Sequence, residues 1–200
     1  MAIEGIDGCG KTTQAMMLVD RLKKEEYETM YIRPVYVLLD IIRLGGGVEK
    51  SVSPRRARTS NKKSSVLQRV VMSLFGYPYA IVTYIYMELT SRDKIIVCDR
   101  YFYQFFFDLF GKLSEKVIRI FPKADITFFL DGNLDLFYSR MKKSFDASVD
   151  RDYYTEVINL YRRISQKYGF IQIDANLERE KINDIIFHTI KEKIGAEKNE

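Results

Sequence analysis

The chain is expected to fold as a three-layer α/β domain, a five-stranded parallel sheet flanked by helices. Three observations predict it: five short apolar runs, helical periodicity between them, and a glycine-rich turn joining the first run to the first helix. Two hundred residues suffice for one well-cored domain, so a single domain over residues 1–200 is expected.

The elements follow in order. Met1-Ala2-Ile3-Glu4 suits a buried strand, and it opens so early that a shortened amino end is expected. Ala15, Met16, Leu18, Val19 and Leu22 then recur at helical spacing. Glu28 to Arg33 reads as a second strand that Pro34 ends. Val35 to Leu44 reads as a short helix stopped by Gly45-Gly46-Gly47, and residues 48–63 as a polar, basic loop. Ser64 to Thr90 is apolar and helical, with a break or kink expected at Gly76-Tyr77-Pro78.

Lys94 to Cys98 is an apolar strand closed by Asp99, and helical material runs on to Phe121. Ile126 to Leu130 is a further strand, ending at Asp131. Asn133 to Lys143 and Arg151 to Tyr168 read as helices around a short polar segment. Phe170 to Ile173 is the last strand and Glu178 to Ile194 a closing amphipathic helix, followed by a tail expected to fray. Parallel sheets of this kind bind ligands beyond the carboxyl ends of their strands. That rule marks Asp7, Arg33, Asp99, Arg100 and Asp131.

The first turn carries the most chemistry. Gly5-Ile6-Asp7-Gly8-Cys9-Gly10-Lys11-Thr12-Thr13 has the form G-x-x-x-x-G-K-[ST], and strand, glycine loop and helix are the context that makes it a phosphate-binding loop. Its glycines let successive N–H groups turn inward around an anion, and the helix points its positive end at the same place. Lys11 would reach the β- and γ-phosphates of ATP, and the Thr12 hydroxyl would ligate Mg²⁺. All of residues 5–13 are therefore candidate ATP-binding positions.

The second constellation is Asp99-Arg100 at the end of the apolar strand. Asp99 would hold the water shell of Mg²⁺ or bridge to Thr12. Its alternative role is a cap on the next helix. Arg100 would clamp a phosphate with two parallel hydrogen bonds, or else pair with Asp99 itself.

Composition narrows the partners. The net charge of +5 suits a polyanionic ligand such as a nucleotide, and without a basic stripe it does not argue for nucleic acid. No apolar stretch reaches membrane-spanning length, Ala80 to Leu89 being short and interrupted by Thr83 and Glu88. Cys9 and Cys98 make no disulfide framework, and no targeting segment is expected, so the cytoplasm is the expected location.

Glu4-Gly5-Ile6-Asp7-Gly8, Gly10-Lys11-Thr12-Thr13-Gln14 and Asp99-Arg100-Tyr101 together resemble the thymidylate kinase family. Ala124 to Asp131 is similar to its fourth strand, Arg151 to Ser165 to its post-lid helix, and Ile173-Asp174-Ala175 to its last strand. The resemblance covers residues 1–33 and roughly 92–194, whereas residues 34–91 match poorly.

The resemblance implies Mg²⁺-dependent phosphoryl transfer from ATP to a nucleoside monophosphate, with dTMP the leading acceptor. It implies that Asp7 contacts the acceptor sugar, that Arg100 and Arg33 lie at the acceptor phosphate, and that Arg140 lies near the donor nucleotide. The family places a catalytic arginine either in the phosphate loop or on the lid. Position 8 is glycine, so the lid should supply the cation. Lys142, Lys143 and Arg151 flank a short lid expected around residues 142–152. A homodimer is a further family expectation, with the Ala80 to Leu89 helix as its interface.

The acceptor region departs from the family. Phe102-Tyr103-Gln104-Phe105-Phe106-Phe107-Asp108-Leu109 replaces the usual serines and Ala-Tyr-Gln run, and the base-reading helix arginine is not recognisable. Candidates for the acceptor pocket are Tyr101, Gln104 as a hydrogen-bonding group, and Phe75 and Tyr79 as stacking groups. A phenylalanine-rich helix is more often the material of a core than a base platform. Two readings stay open beside the nucleotide kinase: a P-loop kinase of another small phosphorylated acceptor, and a nucleotide-binding relative without catalysis. A GTPase is disfavoured because Asn61-Lys62-Lys63-Ser64 lacks the aspartate of the guanine-reading motif.

Overall fold

Strands β1 (Ala2–Glu4), β2 (Thr29–Ile32), β3 (Ile95–Asp99), β4 (Thr127–Asp131) and β5 (Ile171–Asp174) form one sheet. The structure is a computed structural model that describes residues 1–37, 66–91, 94–142 and 151–197. The strand order is β2-β3-β1-β4-β5, and every neighbouring pair is parallel. β1, β3 and β4 are apolar almost throughout because they occupy the sheet's interior. Register aligns Ile3 with Asp99 and Glu4 with Phe129, so the turns after the three central strands open on one edge.

The helices are α1 (Lys11–Lys24), α2 (Val66–Thr90), α3 (Tyr103–Phe110), α4 (Ser114–Ile120), α5 (Leu134–Lys142), α6 (Arg151–Tyr168) and α7 (Arg179–Glu197). α1 buries Ala15, Leu18, Val19 and Leu22 as its periodicity predicts, whereas Met16 faces outward. It is joined to α7 through Gln14 and Asn183, and through Arg21 and Asp184. α6 lays Tyr161 against Phe129 of β4, ring centroids 5.4 Å apart.

One expectation is corrected among the described residues. α2 runs without interruption through Gly76-Tyr77-Pro78. Gly76 marks a close helix crossing instead of a break, since a Cβ there would collide with Leu109 of α3. Tyr77 packs on Phe106 and Phe121 from the same turn, and that packing offsets the N–H that Pro78 lacks. The phenylalanine-rich helix is core: Phe102, Phe106 and Phe121 are buried and mutually in contact. The helix expected over Val35 to Leu44 is described only as a 3₁₀ turn at Pro34–Tyr36, the rest lying outside the described residues. The basic loop at residues 48–63 and the segment 143–150 also lie outside them.

Candidate active site

β1 enters the glycine loop at full burial, and the loop's tight return dictates its residue types. Gly5 has φ +141°, and a Cβ there would stand 2.7 Å from Cys9 Sγ and 2.8 Å from the Leu130 carbonyl. No larger residue fits between strand and loop. Gly10, in the left-handed region, caps α1, whose first N–H groups open toward the loop. The Lys11 ammonium, almost wholly buried, donates to the Ile6 carbonyl and lies 3.7 Å from Cys9 Sγ. Burial, then the Arg100 charge, lowers its proton affinity. The Cys9 thiol is buried and pushed up by that burial, so it is inert packing.

Asp99 stands at the end of β3 directly across from the loop. Thr12 Oγ1 donates to its Oδ2 at 2.6 Å, and the Tyr31 hydroxyl donates to the same oxygen at 2.9 Å. Burial first, and the Asp99 charge second, drive the Tyr31 phenol firmly toward its neutral, donating form. Asp99 Oδ1 is buried without a hydrogen-bond partner among the described residues. The capping alternative fails, since α3 has Phe102 at its N-cap with no side-chain cap bond. An unpaired carboxylate oxygen beside a threonine hydroxyl fits a hydrated divalent cation, with hard oxygen donors and room for water.

Arg100 forms its ion pair with Asp7 of the loop. Its backbone is left-handed, φ +68°. Burial works against its charge, but Asp7 and Asp99 outweigh burial and hold it protonated. Its Nε is buried and has no hydrogen-bond partner among the described residues. Asp7 Oδ2 also accepts from the Tyr154 hydroxyl of α6 at 3.1 Å.

The other sequence candidates are less uniform. Gln104 is buried, donates to the Tyr153 hydroxyl at 3.0 Å, and leaves Oε1 unpartnered. Arg33 is exposed at the end of β2, its guanidinium 5.3 Å from the Tyr36 ring centre. Phe75 is exposed on α2, whereas Tyr79 donates to the Pro34 carbonyl and meets Phe105 edge-on. Arg140 is exposed on α5. Arg151 begins α6 in an exposed ion pair with Asp135. Lys142 closes α5, and Lys143 lies outside the described residues.

Tyr101 is corrected: its ring is in the core against Phe102 and Phe121, its hydroxyl donates to Pro122, and only its backbone N–H faces the site region. Asp131 is also a lock, bound by Arg162 at 2.9 and 3.0 Å and by Gln172 at 2.8 Å.

With loop, carboxylate and arginine on one sheet edge, relatives can be weighed. A family model described as thymidylate kinase matches residues 3–186. The chain belongs to the thymidylate kinase family. Similar members include the thymidylate kinase of Ehrlichia ruminantium strain Gardel, 28% identical over 208 residues and 96% of each chain. That of Halothermothrix orenii is 28% identical over 212 residues, covering 96% of this chain and 95% of its own. Among solved structures, two of deoxyadenosine kinase from M. mycoides share the fold at 17% identity and 98% coverage of their chains. The one with dCMP and a flexible dCDP bound covers 96% of this chain at a TM-score of 0.58, and the one with dATP 95% at 0.60.

Sequence reasoning missed Glu4, Tyr31, Tyr154 and Tyr161 of this thymidylate kinase family member. Glu4 carried a signal: a carboxylate closing an apolar strand just before a phosphate loop is too costly to bury without a purpose. Tyr154 and Tyr161 carried a weaker one, two phenols seven residues apart on the buried face of one helix.

Proposed function

We propose that the chain transfers the γ-phosphoryl group of ATP to dTMP, giving ADP and dTDP, as one kinase domain over residues 1–200 with a lid around 142–152. The observation that carries this reading is the Asp7–Arg100 pair beside Lys11, with the Arg100 Nε unpaired. It sets an arginine with an unused donor next to the phosphate loop, where an acceptor phosphate would meet the donor triphosphate. Family membership supplies the reaction class.

The chemistry needs alignment and neutralisation more than covalent help. An acceptor phosphate oxygen bonds to the γ-phosphorus while the bond to the β–γ bridging oxygen breaks and its electrons leave with ADP. The acceptor phosphate is already a nucleophile, so no base has to remove a proton. Lys11, released from the Ile6 carbonyl, draws charge from the γ-phosphoryl oxygens. Arg100, with Arg33 at the mouth, holds the acceptor phosphate in line. Asp7 is positioned by Arg100 and Tyr154 to face the acceptor sugar. Thr12 and Asp99 would hold Mg²⁺, which supplies charge neutralisation across the β- and γ-phosphates. Lys142, Lys143 or Arg151 would add the lid cation as the lid closes over the donor beside Arg140, excluding water.

Gln104, with its free Oε1, is the hydrogen-bonding group for the acceptor base, and Phe75 on α2 is the stacking candidate. Further along, the same helix exposes Val82, Tyr86 and Leu89 on one side, a face suited to a second copy of the chain. The cytoplasm is the proposed location. A coupled assay over a panel of monophosphates, nucleosides and phosphosugars tests the function: dTMP turnover dependent on ATP and Mg²⁺ is expected. No turnover with any pyrimidine nucleotide would overturn it.

A further inference from the structure

β1 ends on Glu4, a carboxylate with no exposure to solvent. One of its oxygens accepts the backbone N–H of Tyr101, and the other accepts the Tyr161 hydroxyl of α6 at 2.6 Å. One residue earlier on β1, the Ile3 carbonyl accepts the N–H of Arg100 at 3.1 Å. The Arg100 residue is therefore pinned to β1 on both sides, through its own N–H and through the next one. Between those two anchors its backbone is left-handed, φ +68°, a conformation that a side chain with a Cβ normally avoids.

Remove the carboxylate and the Tyr101 N–H is buried unpaired, while Arg100 at positive φ loses one of its two backbone anchors and keeps only the Ile3 carbonyl. Relaxation to negative φ would swing the guanidinium off Asp7. The same carboxylate reaches α6, where Tyr154, two turns before Tyr161, grips Asp7 from the other side. One buried group thus ties together the arginine, the aspartate and the helix that follows the lid.

We propose that Glu4 is a positioning residue for the acceptor-phosphate arginine: it holds Arg100 in its left-handed conformation and docks α6 beside it. The assignment rests on the kinase reading above and deepens it. Glu4 touches neither substrate, and its effect reaches the reaction only through Arg100 and Asp7. Glutamine can replace it in shape, its amide oxygen accepting from Tyr101 and its amide N–H donating to the Tyr161 oxygen. Aspartate keeps the charge but is about 1.5 Å shorter and cannot span both partners.

Steady-state kinetics and crystal structures of native protein, Glu4→Gln, Glu4→Asp and Glu4→Ala test it. Loss of one charge-assisted bond predicts a KM for dTMP raised roughly tenfold or more in Glu4→Asp and Glu4→Ala. KM for ATP should move less than about threefold, and Glu4→Gln should recover most of the loss. Arg100 should keep positive φ in Glu4→Gln and lose it, with the Asp7 pair, in Glu4→Asp. Unchanged Arg100 geometry in folded Glu4→Asp, or equal rises in both KM values, would overturn the proposal. Should native protein turn over no nucleotide at all, the kinase reading fails, and the Arg100 geometry still decides the role of Glu4.

Discussion

In the proposed reaction Lys11 is the residue on which donor chemistry would depend most. Its ammonium is already desolvated, so it would meet a γ-phosphoryl group without the screening a surface lysine would suffer. Lys11→Ala is expected to lower kcat by roughly a hundredfold to a thousandfold while the circular dichroism spectrum and melting midpoint barely change. Cysteine chemistry is expected to be silent. Both thiols are buried, Cys98 pushed up to about 12 by that burial. An aromatic disulfide reagent should therefore titrate neither in native protein and two after denaturation. Rapid loss of one thiol under native conditions would contradict the packing of Cys9. Both residues were visible as motif members. The pairing of Arg100 with Asp7 was not, because it depends on a backbone φ that no side-chain pattern announces.

At the scale of elements, α6 is the piece that ties β1, the glycine loop and β4 together. Tyr161 on Glu4, Tyr154 on Asp7 and Arg162 on Asp131 are three points of attachment along one helix. Tyr161→Phe leaves a buried carboxylate oxygen without its donor. It should destabilise the fold by about 1–3 kcal/mol in urea unfolding, with the slope unchanged. A shift within error of zero would mean that the attachment contributes nothing. The helix itself was legible from end to end, Arg151 to Tyr168, because its apolar face repeats at 3.6 residues. α2 was misjudged at Gly76-Tyr77-Pro78. Both helix-breaking residues are present, but packing on α3 overrides local preference.

For the whole molecule, the buried Glu4 makes stability depend on pH. Burial, the largest effect, pushes its carboxyl from 4.5 up to about 7; Tyr161, the Tyr101 N–H, Lys11 and Arg100 pull the other way without winning. Between those two values the folded protein holds a proton that the unfolded chain has released. Native stability contributed by this group is thus present below pH 4.5 and lost as pH rises to about 7. Glu4→Gln has no such titration, so its stability relative to native protein should climb from pH 5 to pH 8 in parallel denaturation series. A constant difference would refute the assignment. The exposed stripe on α2 makes a second prediction at this scale. Light scattering should report a dimer for native protein and a monomer for Val82→Glu/Leu89→Glu, with the native melting profile otherwise retained.

The strands, the glycine loop, Lys11, Thr12 and Asp99 could be read from order and spacing alone. Local hydrophobic periodicity and a contiguous motif are properties of neighbouring residues, and their physics acts over a few positions. The bridge from Thr12 to Asp99 was among the expectations, and Thr12 meets Asp99 across 87 positions. The other pairings could not be read that way: Glu4 meets Tyr161 across 157 positions and Asp7 meets Arg100 across 93. Such pairs exist only because β1, β3 and α6 converge on one sheet edge. There the low dielectric of the interior obliges each buried carboxylate to find a donor. Folding thereby made a core residue of Tyr101, a lock of Asp131, and a buried tie between β1, Tyr101 and α6 out of a glutamate that the chain presents as the last residue of an apolar strand.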